Sequence, residues 1–70
     1  MENPVFKQVE ITGTSPESAS AAIESAVEKA ASSLREMSWF ELTELRGSID
    51  EGEVQQYQAS IKVGFKLDDE

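Results

Sequence analysis

From Tyr57 to Leu67 the odd positions are all apolar (Tyr57, Ala59, Ile61, Val63, Phe65, Leu67), while the even ones are polar or glycine (Gln58, Ser60, Lys62, Gly64, Lys66). Successive side chains of a strand point to opposite faces, so this segment is a β-strand with one face in a core and one face turned away. A strand this long and this one-sided calls for partners on both edges and a cover over a single face. The other residues must supply them.

The stretch "VFKQVEIT", residues 5 to 12, reads as a first strand with Val5, Val9 and Ile11 on one face and Gln8, Glu10 and Thr12 on the other. "GTSPE", residues 13 to 17, then opens a helix: Gly13 permits the turn, Thr14 or Ser15 caps, Pro16 fits the first turn and Glu17 suits the positive end of the dipole. Ile23, Val27, Ala30, Leu34 and Met37 follow at helical spacing, flanked by Ala19, Ala22 and Ala26. This predicts one amphipathic helix of about twenty residues, roughly 30 Å long. Its small apolar side chains let it lie close against a curved sheet, with Glu24, Glu28 and the serines in water.

A second strand is expected over about residues 39 to 47 and a turn over "SIDEGEV", residues 48 to 54, ahead of the last strand. The order is then β-α-β-β. In an antiparallel sheet the first and second strands run the same way, so the third lies between them and the sheet order is 1-3-2. The fold class is α+β, a single domain over residues 1–70, with one helix on one face of a three-stranded sheet.

Placing Ile49 opposite Val54 puts Phe40 opposite Val63 and Leu42 opposite Ile61 in the helix-covered core. The same register sets Glu41 against Lys62, Thr43 against Ser60 and Trp39 against Gly64 on the other face. Phe40 is therefore inside and Trp39 outside. An indole with ~150–250 Å² to bury, at ~25 cal/mol/Å², forgoes as much as ~4–6 kcal/mol if it stays in water. Spacing alone leaves Trp39 as a contact between subunits or a platform for a flat ligand, with the contact favoured; Gly64 leaves the space beside the ring open.

Size and composition narrow the function. A 70-residue chain without cysteine or histidine has neither a disulfide nor a Cys/His zinc site to support it, so oligomerisation is the expected support. The missing residue types also exclude Ser-His-Asp and Cys-His catalysis. A formal charge of −8 opposes extended contact with nucleic acid or anionic lipid. "DEGE" and "DDE" lack the spacing of a calcium loop and read as a solvated turn and tail. "MENPVFKQVE" has neither a basic start nor an apolar run, which predicts a cytoplasmic protein.

"GTSPES", "WFEL" followed by "RG", then "YQ" and "VGFKL" occur in the order found in the dodecins, and the chain resembles that family from about Val5 to Asp68. The resemblance implies a hollow homododecamer that binds flavins in pairs at subunit interfaces and is not an enzyme. FMN is the flavin it points to first, with riboflavin and FAD as alternatives and coenzyme A as a second ligand of some members. Trp39 matches the tryptophan on which the isoalloxazine ring stacks, and Gln58 the glutamine that hydrogen-bonds its pyrimidine edge. Arg46 and Lys66 match basic positions linked to phosphate-bearing ligands. Two departures stand out. Lys66 replaces a frequent arginine, exchanging a planar fork for a point charge, and Ser48 replaces a histidine common after the "RG" pair.

The implied function is flavin storage or buffering with suppression of flavin photochemistry, the electron-rich indole quenching the excited ring. The alternative is a structural assembly module in which Trp39 only seals a subunit contact. The register adds a constraint: Gln58 lies six positions from Gly64, roughly 20 Å at ~3.3 Å per residue. One ring is therefore expected to take Trp39 and Gln58 from different subunits. The same register turns Arg46 to the helix face opposite Tyr57 unless a bulge at Gly47 redirects it.

Overall fold

Four elements follow one another in the computed structural model, which describes residues 3–67: β1 (Phe6–Ser15), α1 (Ala19–Ala31), β2 (Met37–Asp50) and β3 (Glu53–Lys66). They form one antiparallel sheet ordered β1-β3-β2, the order expected when the first and second strands run the same way. The acidic tail at 68–70 lies outside the described residues.

The helix is shorter than its apolar spacing predicts and starts later. Gly13 does not make a turn; it lies inside β1, opposite Ala59. A Cβ there would collide with the carbonyl oxygen of Ala22 and crowd the backbone and Cβ of Ala26, so Gly13 is where the helix presses onto the strand. The cap is Ser18, whose Oγ accepts the Ala21 N–H at 3.0 Å, in place of Thr14 or Ser15. Ser15 instead accepts the Glu17 N–H at 2.9 Å and holds the turn around Pro16. Replacing Ser18 by alanine is expected to cost about 1 kcal/mol, read as a lowered melting temperature with the native fold retained.

Small residues build the helix-sheet contact. Ala22, Ala26 and Ala30 are buried from the helix side and Ala59, Ile61 and Val63 from β3, with Val9, Ile11, Ile23 and Val27 packed around them. Leu34 and Met37 join the same core although both lie beyond the end of α1.

The hairpin is tighter than the seven residues assigned to it. Glu51 and Gly52 alone form the turn, with φ of 53° and 79°. Positive φ at both central residues marks the two-residue turn whose twist matches that of the flanking strands.

The predicted register holds near the open end of the hairpin: Phe40 faces Val63, Leu42 faces Ile61, Glu41 faces Lys62 and Trp39 faces Gly64. Between there and the turn, two irregularities offset each other. One shift, between Ser48 and Ile49, leaves Gln55 without a partner; the other, between Leu42 and Glu44, leaves Thr43 without one. Glu44 rather than Thr43 therefore faces Ser60, and Arg46 faces Gln58 rather than Tyr57.

Phe40 and Leu42 lie on the expected face without being covered. The helix packs over β1 and β3, so Phe40, Leu42 and Leu45 on β2 stay 44–50% exposed. The radius of gyration is 14.7 Å, against about 11 Å for a globule of this length.

Candidate functional site

The face of the sheet away from the helix carries the candidate site. Along β3 it presents Gln58, Ser60, Lys62, Gly64 and Lys66, with Glu10 and Thr12 beside them from β1 and Trp39, Glu41, Glu44 and Arg46 from β2. Hydroxyl groups knit its centre. Thr12 Oγ1 and Ser60 Oγ are 2.8 Å apart, and the bulged Thr43 brings its Oγ1 to 2.9 Å from Glu10 Oε2 and 3.1 Å from the Ser60 carbonyl.

Trp39 stands at one end. A methyl group added at Gly64 would fall inside van der Waals distance of Cζ2, Cε2 and Cη2 of the indole, at nearly equal separations from the three. Such a position lies over the ring's face, not beyond its edge. The indole therefore lies face down on the backbone of β3, and the missing side chain of Gly64 is what makes room for it. Its far side meets Phe6 of β1, with ring centroids 5.1 Å apart and planes inclined at 56°. Trp39 is 41% exposed, consistent with one face covered and the other open.

The four site residues expected from the sequence fall into two groups on this face. Lys66, two residues beyond Gly64 and exposed, shares the Trp39 end. Gln58 and Arg46 are direct cross-strand partners near the other end. The bulge at Thr43, not one at Gly47, returns Arg46 to the side of Gln58. Gly47 itself is tightly placed, since a Cβ there would run into the Gln56 carbonyl.

Gln58 is half-buried and donates from Nε2 to Gln56 Oε1 at 3.0 Å, which leaves its own Oε1 and a second amide hydrogen for a ligand. Arg46 Nη1 lies 3.6 Å from Glu44 Oε2, both side chains being well exposed. An ion pair of this kind is weak enough, at about 0–1 kcal/mol, for the guanidinium to exchange it for a phosphate. Sequence reasoning did not single out Phe6. Its only signal is parity, since it shares the even-numbered face of β1 with Gln8 and Glu10.

Among the described residues no three acidic side chains gather to hold a metal ion, and no helix is long and apolar enough to cross a membrane.

Comparison with known proteins supplies the family. The dodecin of Thermus thermophilus is 46% identical over 65 residues, which cover 93% of this chain and 94% of that protein. A solved arginine-to-alanine variant of the T. thermophilus dodecin superposes with a TM-score of 0.92 at 44% identity, over 97% of this chain and all of the other. The dodecin of Streptomyces coelicolor gives 0.92 at 38% identity over the full length of both chains. The calcium dodecin of Mycobacterium tuberculosis, a calcium-chelating antigen, gives 0.79 at 31% identity over 91% of each chain. With the dodecin profile matching residues 5–68, nearly the whole β-α-β-β unit, this chain belongs to the dodecin family.

Proposed function

We propose that the protein is a non-enzymatic flavin carrier, assembled as a homododecamer, that stores or buffers flavin and suppresses its photochemistry. The observation that carries this reading is the indole of Trp39, laid flat on Gly64 with one face open. That surface suits a planar conjugated ring. A bound isoalloxazine supplies the light-absorbing, electron-accepting group, and FMN is the form favoured here because Lys66 and Arg46 on the same face suit a phosphate. Trp39 offers its open face and an easily donated electron. Gln58 offers an acceptor and a donor to the polar edge of the ring.

The spacing along β3 supports a composite site. Gly64, beneath the indole, is six residues from Gln58, roughly 20 Å at ~3.3 Å per residue, more than one isoalloxazine spans. Each flavin then meets Trp39 of one subunit and Gln58 of another; a ligand-bound structure with both side chains of one subunit on the same ring would overturn this. Self-association is further supported by the half-exposed Phe40, Leu42 and Leu45, beside an open groove of about 460 Å³ walled by Ile23 and Val27. These side chains are too apolar to leave uncovered on a chain this small.

Titrating FMN with the purified protein is expected to extinguish flavin fluorescence to a stoichiometric end point, and native mass spectrometry to give a twelve-subunit mass carrying flavin. An assembly that stays colourless and leaves FMN fluorescence unchanged would make the protein a structural module, with Trp39 sealing a subunit contact.

A further inference from the structure

We propose that Phe6 is a positioning residue for Trp39: it blocks the far side of the indole and so sets the angle at which the open face meets a ligand. The proposal rests on the reading of Trp39 as a flavin platform. Phe6 and Trp39 come from opposite edge strands, β1 and β2, with β3 between them. To touch Phe6, the indole has to reach across the whole width of β3 at Gly64. Gly64 supports the ring from below but has no side chain to stop it from sliding or tilting along the strand.

Phe6 provides that stop. The 5.1 Å centroid separation and 56° inclination lie within the range of tilted aromatic pairs, in which the edge of one ring meets the face of the other. An aliphatic side chain of similar bulk lacks that geometry. The wall is itself anchored. The Leu67 N–H donates to the Val5 carbonyl at 2.9 Å and the Lys66 N–H to the Glu36 carbonyl at 3.1 Å, tying the start of β1 and the approach to β2 to the end of β3. Phe6 is 39% exposed and no part of the helix-side core, so its ring is not needed to hold the helix on the sheet.

Trp39 is the only tryptophan in the chain, and its signals therefore report on this residue alone. The test compares wild type with Phe6→Leu, Phe6→Met and Phe6→Tyr, all as the assembled protein. In the flavin-free protein, Phe6→Leu and Phe6→Met are expected to weaken the indole band of the near-ultraviolet circular dichroism and to speed indole depolarisation. Phe6→Tyr, which keeps the ring, should restore both. In FMN titrations the Kd is expected to rise about three- to tenfold for the leucine and methionine variants and to return to the wild-type value for tyrosine. Far-ultraviolet spectra and assembly mass should not change.

Leucine and methionine variants with the wild-type indole signal and Kd would overturn the proposal. So would a tyrosine variant as impaired as they are. If the indole loosens as expected but wild type takes up no FMN, the positioning role of Phe6 stands and the flavin reading falls.

Discussion

Replacing Trp39 by alanine is expected to raise the Kd for FMN by about ten- to a hundredfold and to leave the fluorescence of any flavin still bound largely unquenched. Stacking of a planar heterocycle on an aromatic side chain is worth ~1–3 kcal/mol, and each ~1.4 kcal/mol is a factor of ten in affinity. Removal of the indole exposes the backbone at Gly64, which offers no ring to stack on. The fold should tolerate the change, because Trp39 lies on the face opposite the helix and contributes nothing to the buried cluster of Ala26, Ile61 and Val63. Trp39→Phe separates the two duties of the residue. A phenyl ring keeps part of the stacking surface but is a poorer electron donor, so affinity should fall less than quenching. The measurement is an FMN titration with time-resolved flavin emission, alongside native mass spectrometry. An alanine variant that binds and quenches like wild type would remove Trp39 from the site.

Gly13→Val is the substitution expected to cost the most stability. The added side chain would begin inside the space of the Ala22 carbonyl oxygen and the Ala26 backbone and Cβ. None of these is the mobile end of a flexible side chain. The helix would have to lift from β1, and with it the contacts of Ala22 and Ala26 that form much of the core. Overpacking costs ~1–3 kcal/mol where neighbours can adjust and more where they cannot. A domain of this size has a total stability of only about 4–10 kcal/mol. Loss of the cooperative thermal transition is therefore the expected result, read by far-ultraviolet circular dichroism. Gly52 provides a contrast, since a Cβ there meets nothing within 4 Å and its cost comes from its φ of +79° alone. Gly52→Ala should fold with a modestly lowered melting temperature, by about 1 kcal/mol. A Gly13→Val protein as stable as Gly52→Ala would show that the helix does not need the glycine to approach the sheet.

The sequence-derived boundaries that moved did so for reasons visible in the structure. The spacing of Ile23, Val27, Ala30, Leu34 and Met37 continues past the last helical residue, Ala31, because Leu34 and Met37 reach the same core from a loop and from the start of β2. Apolar periodicity reports which side chains face the core, and a loop can supply them as well as a helix. The bulges at Thr43 and Gln55 were hidden differently. Their shifts cancel, so extrapolating from Ile49 opposite Val54 still brings Trp39 opposite Gly64 while misplacing the residues between. Leu42 and Leu45, three apart on one face of a strand, are the trace that the bulge at Thr43 leaves in the sequence.

The sequence alone established the central strand, the sheet order and the division of Trp39 and Phe40 between faces, through the alternation of β3, the direction of antiparallel strands and the pairing of Ile49 with Val54. The alternation follows from a two-residue period that local backbone geometry enforces wherever a strand forms. The tertiary structure alone decided three further points: that Gly13 is a helix crossing and not a turn, that Arg46 stands beside Gln58, and that Phe6 meets the indole. Each depends on how closely separate elements approach, or on an unpaired residue absorbed between two strands, and neither leaves a periodic signature in the chain. Phe6 and Trp39 are far apart in sequence, and only the pairing of both edge strands with β3 brings their rings to 5.1 Å.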